Sequence, residues 1–293
     1  MKEANDEPYS IVLGIAQDAG IPQPGCTRSC CQALWKQKDK YLWASCLGIV
    51  EPATNSLWLL DITPHFPMQM GLLHQSLSCS SQQIELDGVM LTHAHMGHYT
   101  GLIFLGKEAM NTQKLPVRVL PRMQHFLENN EPWKTLIQNE NIDLVPQQLH
   151  RWESLNARIA CKAIPAEHRS EFSETAGFII KGPSRSLLFL PDSDPWKEDF
   201  PIEQYIREVD RAYIDGTFFT KEELKGRDFD EVPHPCVKES VNRFKALPIE
   251  ERMKIHFIHF NHTNPLVRLE SNERKWLLEQ GFRLAEQGES FVL

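Results

Sequence analysis

The chain has 293 residues, of which 41% are hydrophobic and 24% are charged, and its formal net charge is −8. This composition is typical of a soluble globular protein, and an acidic charge without a Lys/Arg stripe disfavours binding to a nucleic-acid duplex. No apolar run approaches the roughly 18–20 residues that span a bilayer, and the first residues lack a signal peptide's apolar region, so we expect a cytoplasmic protein without membrane partners.

Short apolar runs recur along the chain and predict β-strands. They lie at 9–17, 44–52, 56–64, 86–93, 115–121, 157–168, 175–194, 208–217 and 253–262. Two of the predicted strand pairs are hairpins, at 44–64 and at 175–194. Helical spacing predicts helices within 30–43, after Pro67 in 64–77, and within 237–253 and 268–280. Because the sequence contains no repeat and no linker, we expect one α/β domain over residues 1–293.

Ligand-type side chains follow several of the predicted strands. They are Asp61, His93, His168, Asp192, Asp215 and His259. Polar residues at several strand ends indicate one rim where the loops meet, which is where layered sheet folds build sites. Asp18 is predicted to lie on the same rim, and its role is left open.

The stretch "VMLTHAHMGHYTGL" places His93, His95 and His98 within six residues after an apolar run. Neutral imidazole is a ligand for zinc, iron, nickel or copper. One loop cannot complete the coordination of a metal ion, so we expect further ligands from distant strand ends. The candidates are His168, Asp192 and His259; Asp194 competes with Asp192 and His256 competes with His259.

The sequence contains seven cysteines, and an odd number argues against a disulfide framework. Cys26, Cys30 and Cys31 lie together in "GCTRSCC", which in a reducing compartment indicates a metal site rather than a disulfide bridge. The other four cysteines are expected to be small buried hydrophobic residues. They are Cys46, Cys79, Cys161 and Cys236.

The segment "LTHAHMGHYTGL" resembles the HxHxDH signature of the metallo-β-lactamase superfamily. More narrowly, "GIAQDAGIPQPGC", "IDGTFFTKEEL" and "IHFNHTNPL" resemble segments of the coenzyme PQQ synthesis protein B family and, more weakly, of the phosphoribosyl cyclic phosphodiesterase branch. The resemblance extends from Gly14 to the C-terminus. It implies an αββα sandwich of two mostly antiparallel sheets flanked by helices.

The resemblance also implies two catalytic metal sites. The first would be formed by His93, His95, His168 and Asp192, and the second by His98, Asp192 and His259. The family's aspartate before the third clustered histidine is Gly97 in this chain, so we expect a weaker or empty second site. Zinc is the expected catalytic metal, with iron or manganese as alternatives.

In these relatives a structural zinc is held by three cysteines and a remote histidine. The corresponding residues are Cys26, Cys30, Cys31 and His262, with Arg28 at the position of the family's middle cysteine. Whether the adjacent Cys30 and Cys31 both bind the ion is left open.

Four further residues have expected roles in the site. Asp61 and Asp215 are candidates for orienting the ligating histidines, although each also suits a strand-end turn. Asp192 or a neighbouring carboxylate, or His234, would handle protons, with a surface loop as the alternative for His234.

The expected function is metal-dependent hydrolysis of a small anionic ester or phosphodiester, by a metallohydrolase of this superfamily. The alternatives are an iron-dependent oxygenase in quinone-cofactor (PQQ-type) biosynthesis and a metal-binding carrier without turnover. The expected partner is a small-molecule substrate, and a homodimer is left open.

Overall fold

Two seven-stranded β-sheets form the centre of the structure, a computed structural model that describes residues 7–76, 86–224 and 231–293. The strands of the first sheet are β1 (Tyr9–Gly14), β2 (Cys46–Glu51), β3 (Ser56–Leu60), β4 (Gly88–Met90), β5 (Leu115–Val119), β6 (Ile142–Pro146) and β14 (Ser290–Val292). The strands of the second sheet are β7 (Trp152–Ser154), β8 (Ala160–Ala166), β9 (Thr175–Lys181), β10 (Ser186–Leu190), β11 (Arg211–Asp215), β12 (Ile255–Ile258) and β13 (Arg283–Leu284).

The two sheets have the same pairing pattern. The strand orders are β14-β1-β2-β3-β4-β5-β6 and β13-β12-β11-β10-β9-β8-β7. In the first sheet the pairs from β14 to β3 are antiparallel and those from β3 to β6 are parallel. In the second sheet the pairs from β7 to β10 are antiparallel and those from β10 to β13 are parallel. The expected sandwich is confirmed, but each sheet is mixed, with three antiparallel and three parallel pairs, and is not mostly antiparallel as expected.

Helices flank the sandwich. They are α1 (Ser29–Gln32), α2 (Phe66–Ser76), α3 (Met96–Tyr99), α4 (Pro121–Asn129), α5 (Trp133–Gln138), α6 (Ile202–Arg207), α7 (Val237–Phe244), α8 (Ile249–Arg252) and α9 (Asn272–Glu279). Short 3₁₀ turns occur at Leu34–Lys36, Lys38–Lys40, Thr100–Leu105, Lys221–Glu223 and Pro265–Val267. No helix among the described residues combines the length and the apolar character that a bilayer span requires.

The central strands of the first sheet, β1 to β4, are buried on both faces. In β3, Trp58 and Leu60 belong to the hydrophobic cluster shared with the second sheet, whereas Leu57 and Leu59 belong to a cluster beneath α2, α4 and α5. Successive side chains of a strand point to opposite faces, so a continuous apolar run can fill both layers. This explains why the sequence showed apolar runs rather than alternation.

Several predicted elements are confirmed, and two predicted helices differ. The hairpins at 44–64 and 175–194 form β2–β3 and β9–β10. The predicted helix in 30–43 is only the short α1 followed by 3₁₀ turns, because Cys31 alone is buried between 29 and 40 and no apolar face holds a longer helix. The predicted helix in 237–253 is divided into α7 and α8 at Pro248, which disfavours helix at the preceding residue.

The cysteine predictions are confirmed where the structure describes them. Cys46, Cys161 and Cys236 are buried, as expected for small hydrophobic residues. Cys79 lies outside the described residues.

The site-forming strand ends meet at one edge of the sandwich. β1 and β3 run in the same direction, as do β8 and β10, so the loops that follow them leave on the same side. Ala16, just after β1, forms a parallel bridge with Phe260, just after β12, and thereby joins the two sheets at this edge. The fold therefore brings loops from both sheets together.

We expect Leu188→Ala to lower the free energy of unfolding by about 2–5 kcal/mol, because Leu188 in β10 is 0% exposed and its truncation leaves a cavity. The matched control is Leu269→Ala, since Leu269 is 72% exposed. Urea denaturation of the control should change the free energy of unfolding by no more than about 0.5 kcal/mol. Equal losses in the two variants would contradict this account of the core.

Candidate metal centre

The histidine cluster begins where β4 ends. Thr92, His93 and Ala94 continue from the buried strand in extended or loop conformation, and α3 starts directly after His95. The short helix turns His98 back towards His93, whose ring centroid lies 4.2 Å from that of His98. The spacing of the three histidines therefore places them in one cluster, as the sequence predicted.

The Asp192 carboxylate, which follows β10, lies at the centre of the site and is 3% exposed. Six imidazoles place a ring nitrogen near one of its oxygens: His93 Nε2 at 3.1 Å, His168 Nε2 at 3.2 Å, His234 Nδ1 at 3.3 Å, His95 Nδ1 at 3.7 Å, His98 Nε2 at 3.7 Å and His259 Nε2 at 3.9 Å. Of the two aspartates in "PDSD", the structure thus places Asp192 at the centre.

The donor atoms form three groups at this centre, of which the third consists of Asp192, Asp215, His234 and His259. In the first, one ligand atom from each of His93, His95, His168 and Asp192 lies within 4.8 Å of all the others. In the second, one ligand atom from each of Asp18, His98 and His259 lies within 4.8 Å of the others, and the Nε2 atoms of His98 and His259 face Asp192 Oδ2. These are the residues expected from the sequence, with the addition of Asp18.

The donor set fits metal ions because several of its buried atoms make no hydrogen bond. The Nε2 atoms of His93, His98 and His259 and the Oδ1 atoms of Asp192 and Asp18 are buried and have no hydrogen-bond partner among the described residues. Buried polar atoms in folded proteins are nearly always paired. Imidazole nitrogens and carboxylate oxygens that converge in this way are a donor set for a divalent metal ion.

Hydrogen bonds at the opposite ring nitrogens hold these histidines in place. Asp61 Oδ2 accepts from His98 Nδ1 at 2.7 Å, and Asp61 also accepts from the Thr92 backbone N–H and hydroxyl. Asp194 Oδ1 accepts from His168 Nδ1 at 3.1 Å. Such partners place the proton on Nδ1 and leave Nε2 free for a metal.

Two threonine hydroxyls complete this set, and the sequence reasoning missed them. Thr92 Oγ1 lies 2.9 Å from His93 Nδ1, and Thr217 Oγ1 lies 2.9 Å from His259 Nδ1. Thr92 directly precedes the cluster and Thr217 closes the "DGT" segment, so only their neighbours hinted at this role. Asp194, considered as an alternative to Asp192, instead orients His168.

Two site residues have a left-handed backbone, with φ of +64° at Asp61 and +67° at His259. Residues other than glycine rarely adopt this conformation, which costs on the order of 1–3 kcal/mol. Both residues end a strand at the rim. The strained turn directs the Asp61 carboxylate towards His98 and the His259 ring towards Asp192.

Burial and the carboxylates act in opposite directions on the histidine pKa values. Burial lowers the pKa of His93 and of His259 well below the ordinary value, which favours their neutral, ligating form. Burial also disfavours protonated His98, but Asp61 outweighs it and raises the pKa of His98 to about 9. Asp192 and Asp194 likewise outweigh burial and raise the pKa of His168 to about 10.

His234 lies beside the donor groups and is 2% exposed, so the surface-loop alternative is wrong. Its Nδ1 donates to Asp215 Oδ2 at 2.8 Å. Burial lowers the pKa of His234, but Asp215 and Asp192 outweigh it and the net pKa is raised. Asp215 was expected to orient a ligating histidine, but the histidine that it orients is His234, which is not one of the six expected metal ligands. The Asp215 carboxylate also accepts hydrogen bonds from the backbone N–H groups of Ser193 and Thr217.

His256 does not belong to the site. It precedes the turn at His259 within β12, and its ring lies 5.7 Å from that of Tyr213. Burial lowers the pKa of His256 to about 3, which keeps this histidine neutral in the core.

The cysteine cluster forms a second donor group. Ligand atoms of Cys26, Cys30, Cys31 and His262 lie within 4.8 Å of one another. Cys30 and Cys31, both in α1, each reach His262 Nδ1, at 3.5 and 3.3 Å. The geometry thus allows both adjacent cysteines to bind one ion, in a closed Cys₃His arrangement.

Arg28, at the position of the family's middle cysteine, supports this cluster. Burial disfavours the Cys26 thiolate, but hydrogen bonds with Arg28 outweigh it and lower the pKa of Cys26. Burial and the nearby Arg28 lower the pKa of His262, which favours the neutral imidazole that binds metals. The Arg28 guanidinium lies 3.2 Å from His262 Nε2.

Comparisons with known proteins agree with the resemblance noted from the sequence. A family model described as Beta-lactamase superfamily domain matches residues 58–257. Coenzyme PQQ synthesis protein B of Gluconobacter oxydans is 24% identical over 316 residues, which cover 97% of this chain and 98% of that protein.

Two solved structures have the same fold. The zinc-bound PqqB from Methylobacterium extorquens superposes with a TM-score of 0.78 at 18% identity and covers 97% of this chain and 100% of that one. A diphosphatase from the PhnP family superposes with a TM-score of 0.67 at 18% identity and covers 98% of this chain and 97% of that one. These similarities confirm the αββα sandwich.

We expect Cys31→Ser to bind one zinc ion fewer per chain than the unmodified protein, because Cys31 is fully buried in the cysteine cluster. Its melting temperature should fall as well, since a structural ion stabilises the folded state. The matched control is Cys161→Ser, a buried cysteine in β8 away from the cluster. Zinc is measured by mass spectrometry of the purified proteins, and equal zinc contents in the two variants would rule out the cysteine site.

Proposed function

Because this chain belongs to the beta-lactamase superfamily, we propose that it is a metal-dependent hydrolase of a small anionic ester or phosphodiester. The proposal rests mainly on one observation. Imidazole nitrogens and the carboxylates of Asp18 and Asp192 lie together at one centre, although they come from five separate strand-end loops. Several of these atoms have no hydrogen-bond partner among the described residues. A structural role does not require such an assembly of unpaired buried donors.

The first and second donor groups would hold the metal ions. His93, His95, His168 and Asp192 would bind one ion, and Asp192 would also face the group formed by His98 and His259. A divalent ion bound there would supply a Lewis acid and would lower the pKa of a bound water to about 7. The protein residues fix the geometry: Asp61, Thr92, Asp194 and Thr217 hold the ligating rings through their outer nitrogens.

His234 is our candidate proton donor to the leaving group. The ring is held by Asp215 and lies 3.3 Å from Asp192, so it adjoins the reacting centre without belonging to the first donor group. Its raised pKa favours the protonated form from which a general acid acts.

A cavity of about 410 Å³ adjoins the centre and is lined by Asp18, Arg28 and Asn261 among others. Its volume is within the range of small-molecule sites. Arg28 provides a cation and Asn261 an amide, which suit an anionic group of a substrate. The cavity supports a small anionic substrate.

A second candidate function is oxygenation by bound iron in quinone-cofactor biosynthesis. It is favoured by the full-length match to coenzyme PQQ synthesis protein B. Two histidines and a carboxylate with open positions also suit a non-haem iron centre. The cytoplasmic location, the small-molecule partner, the homodimer and the single domain over residues 1–293 stay predictions.

We expect the protein loaded with zinc or manganese to hydrolyse bis-p-nitrophenyl phosphate, and His168→Ala to lower kcat/KM by about 100-fold or more, because a ligand of the first donor group is lost. The matched control is His74→Ala, which removes an exposed histidine of α2. Release of p-nitrophenolate is followed by absorbance.

The same preparations separate the alternatives. Oxygen consumption with iron and a tyrosine-containing peptide, without ester hydrolysis, would support the oxygenase and contradict the hydrolase. Bound metal with neither activity would leave the carrier.

We expect His234→Ala to steepen the dependence of log kcat/KM on the pKa of the leaving group across a series of aryl and alkyl phosphodiesters. Substrates with poor leaving groups need a proton and should lose about 10²–10⁴-fold in rate, whereas p-nitrophenyl esters should lose little. Metal content should stay unchanged. Parallel plots for the variant and the unmodified protein would exclude His234 as the general acid.

A further inference from the structure

We propose that Asp18 is a ligand of the second metal ion and replaces the carboxylate that Gly97 does not provide. This inference rests on the proposed metal-dependent function, since it concerns the same centre. It changes the expectation from the sequence that the second site is weak or empty.

Asp18 occupies the space in which a side chain at position 97 would begin. A Cβ atom built on Gly97 would lie 2.1 Å from Asp18 Oδ1, 2.4 Å from its Cα and 2.8 Å from its Cβ. These distances are below any van der Waals contact, so no side chain at 97 is compatible with this position of Asp18. The Asp18 loop can therefore approach this closely only because residue 97 is glycine.

The carboxylate points at the second donor group. Asp18 Oδ1 lies 3.6 Å from His98 Nε2, and one ligand atom each from Asp18, His98 and His259 lie within 4.8 Å of one another. Asp192 Oδ2 lies 3.7 Å from the same His98 nitrogen. Three donors, two imidazoles and one carboxylate, thus lie together, and the Asp192 carboxylate borders this group through His98 Nε2.

The facing atoms have no other partner. Asp18 Oδ1 is buried although the side chain as a whole is 42% exposed, and neither it nor the Nε2 atoms of His98 and His259 have a hydrogen-bond partner among the described residues. An exposed carboxylate would normally turn both oxygens to water. Burial of one oxygen against two unpaired imidazole nitrogens is the arrangement that a shared cation requires.

The loop that contains Asp18 is fixed by the fold. The Gln17 backbone N–H donates to Phe260 O at 2.9 Å, one residue after His259, and the Phe260 N–H donates to Ile15 O at 2.8 Å. The Gly20 N–H then closes a turn onto Gln17 O at 2.8 Å, with Gly20 at φ +73°. Asp18 and His259 are therefore held next to each other by direct backbone pairing.

The first test is the metal content of Asp18→Asn, which keeps the size of the side chain and removes its charge. After dialysis against buffered zinc and analysis by mass spectrometry, we expect one ion fewer per chain than in the unmodified protein, and a titration of the apoprotein should show a second-ion Kd raised by about 100-fold or more. The matched control is Asp39→Asn, an exposed surface aspartate, which should bind zinc as the unmodified protein does.

The second test removes no ligand. In Gly97→Ala the added methyl group displaces the Asp18 turn, so one ion should again be lost. The control is Gly71→Ala in α2, where an added Cβ meets nothing within 4 Å. Thermal melting and the retained first ion show that each variant is folded.

The outcomes separate this inference from the proposed function. Asp18→Asn with unchanged ion content and affinity, or an unmodified protein that binds a single ion at the histidine centre, would overturn the role of Asp18. Loss of one ion in both test variants, in a protein that hydrolyses no ester, would support Asp18 as a ligand and reject the hydrolase.

Discussion

The burial of one carboxylate determines the organisation of this site. Asp192 is 3% exposed, and a buried carboxylate is costly unless positive charge compensates it. The neighbouring groups within hydrogen-bond or ion-pair distance are imidazoles, which compensate the charge either as protonated rings or as co-ligands of a cation. The Asp192 carboxylate outweighs burial and raises the pKa of His168, which shows the first solution. The unpaired Nε2 atoms of His93, His98 and His259 show that neighbouring rings can provide the second.

The fold provides this compensation because both sheets end their site-forming strands at the same edge. His93 follows β4 of the first sheet, whereas Asp192 follows β10 and His259 follows β12 of the second. The two sheets are joined at this edge by the pairing of Ala16 with Phe260. A rigid scaffold with loops at one rim is the usual way to hold catalytic groups with little freedom.

The sequence predicted the parts of this arrangement that depend on local pattern. Apolar runs that end in His or Asp identified the rim, and the three clustered histidines identified the centre. It did not predict contacts between residues distant in sequence: Asp194 with His168, Thr217 with His259, and Asp18 with Gly97. Short strands at sheet edges, such as β7 and β13, were also missed, because two or three residues with exposed faces have no distinctive hydrophobic period. From the sequence, Gly97 indicates a missing ligand, because only the folded chain shows that Asp18 occupies the space where a side chain at position 97 would lie.

The histidine centre and the cysteine cluster share the same two chain segments. One segment extends from Ala16 to Cys31 and contains Asp18 and all three clustered cysteines; the other extends from His259 to His262 and contains one histidine of each centre. The segments are paired at the Ala16–Phe260 bridge and meet again where Cys30 and Cys31 contact His262. An ion at the cysteines would therefore fix the far end of the loop whose near end contains Asp18. A structural ion at the cysteine cluster would limit the movement of both Asp18 and His259 and would thereby affect the geometry of the histidine centre.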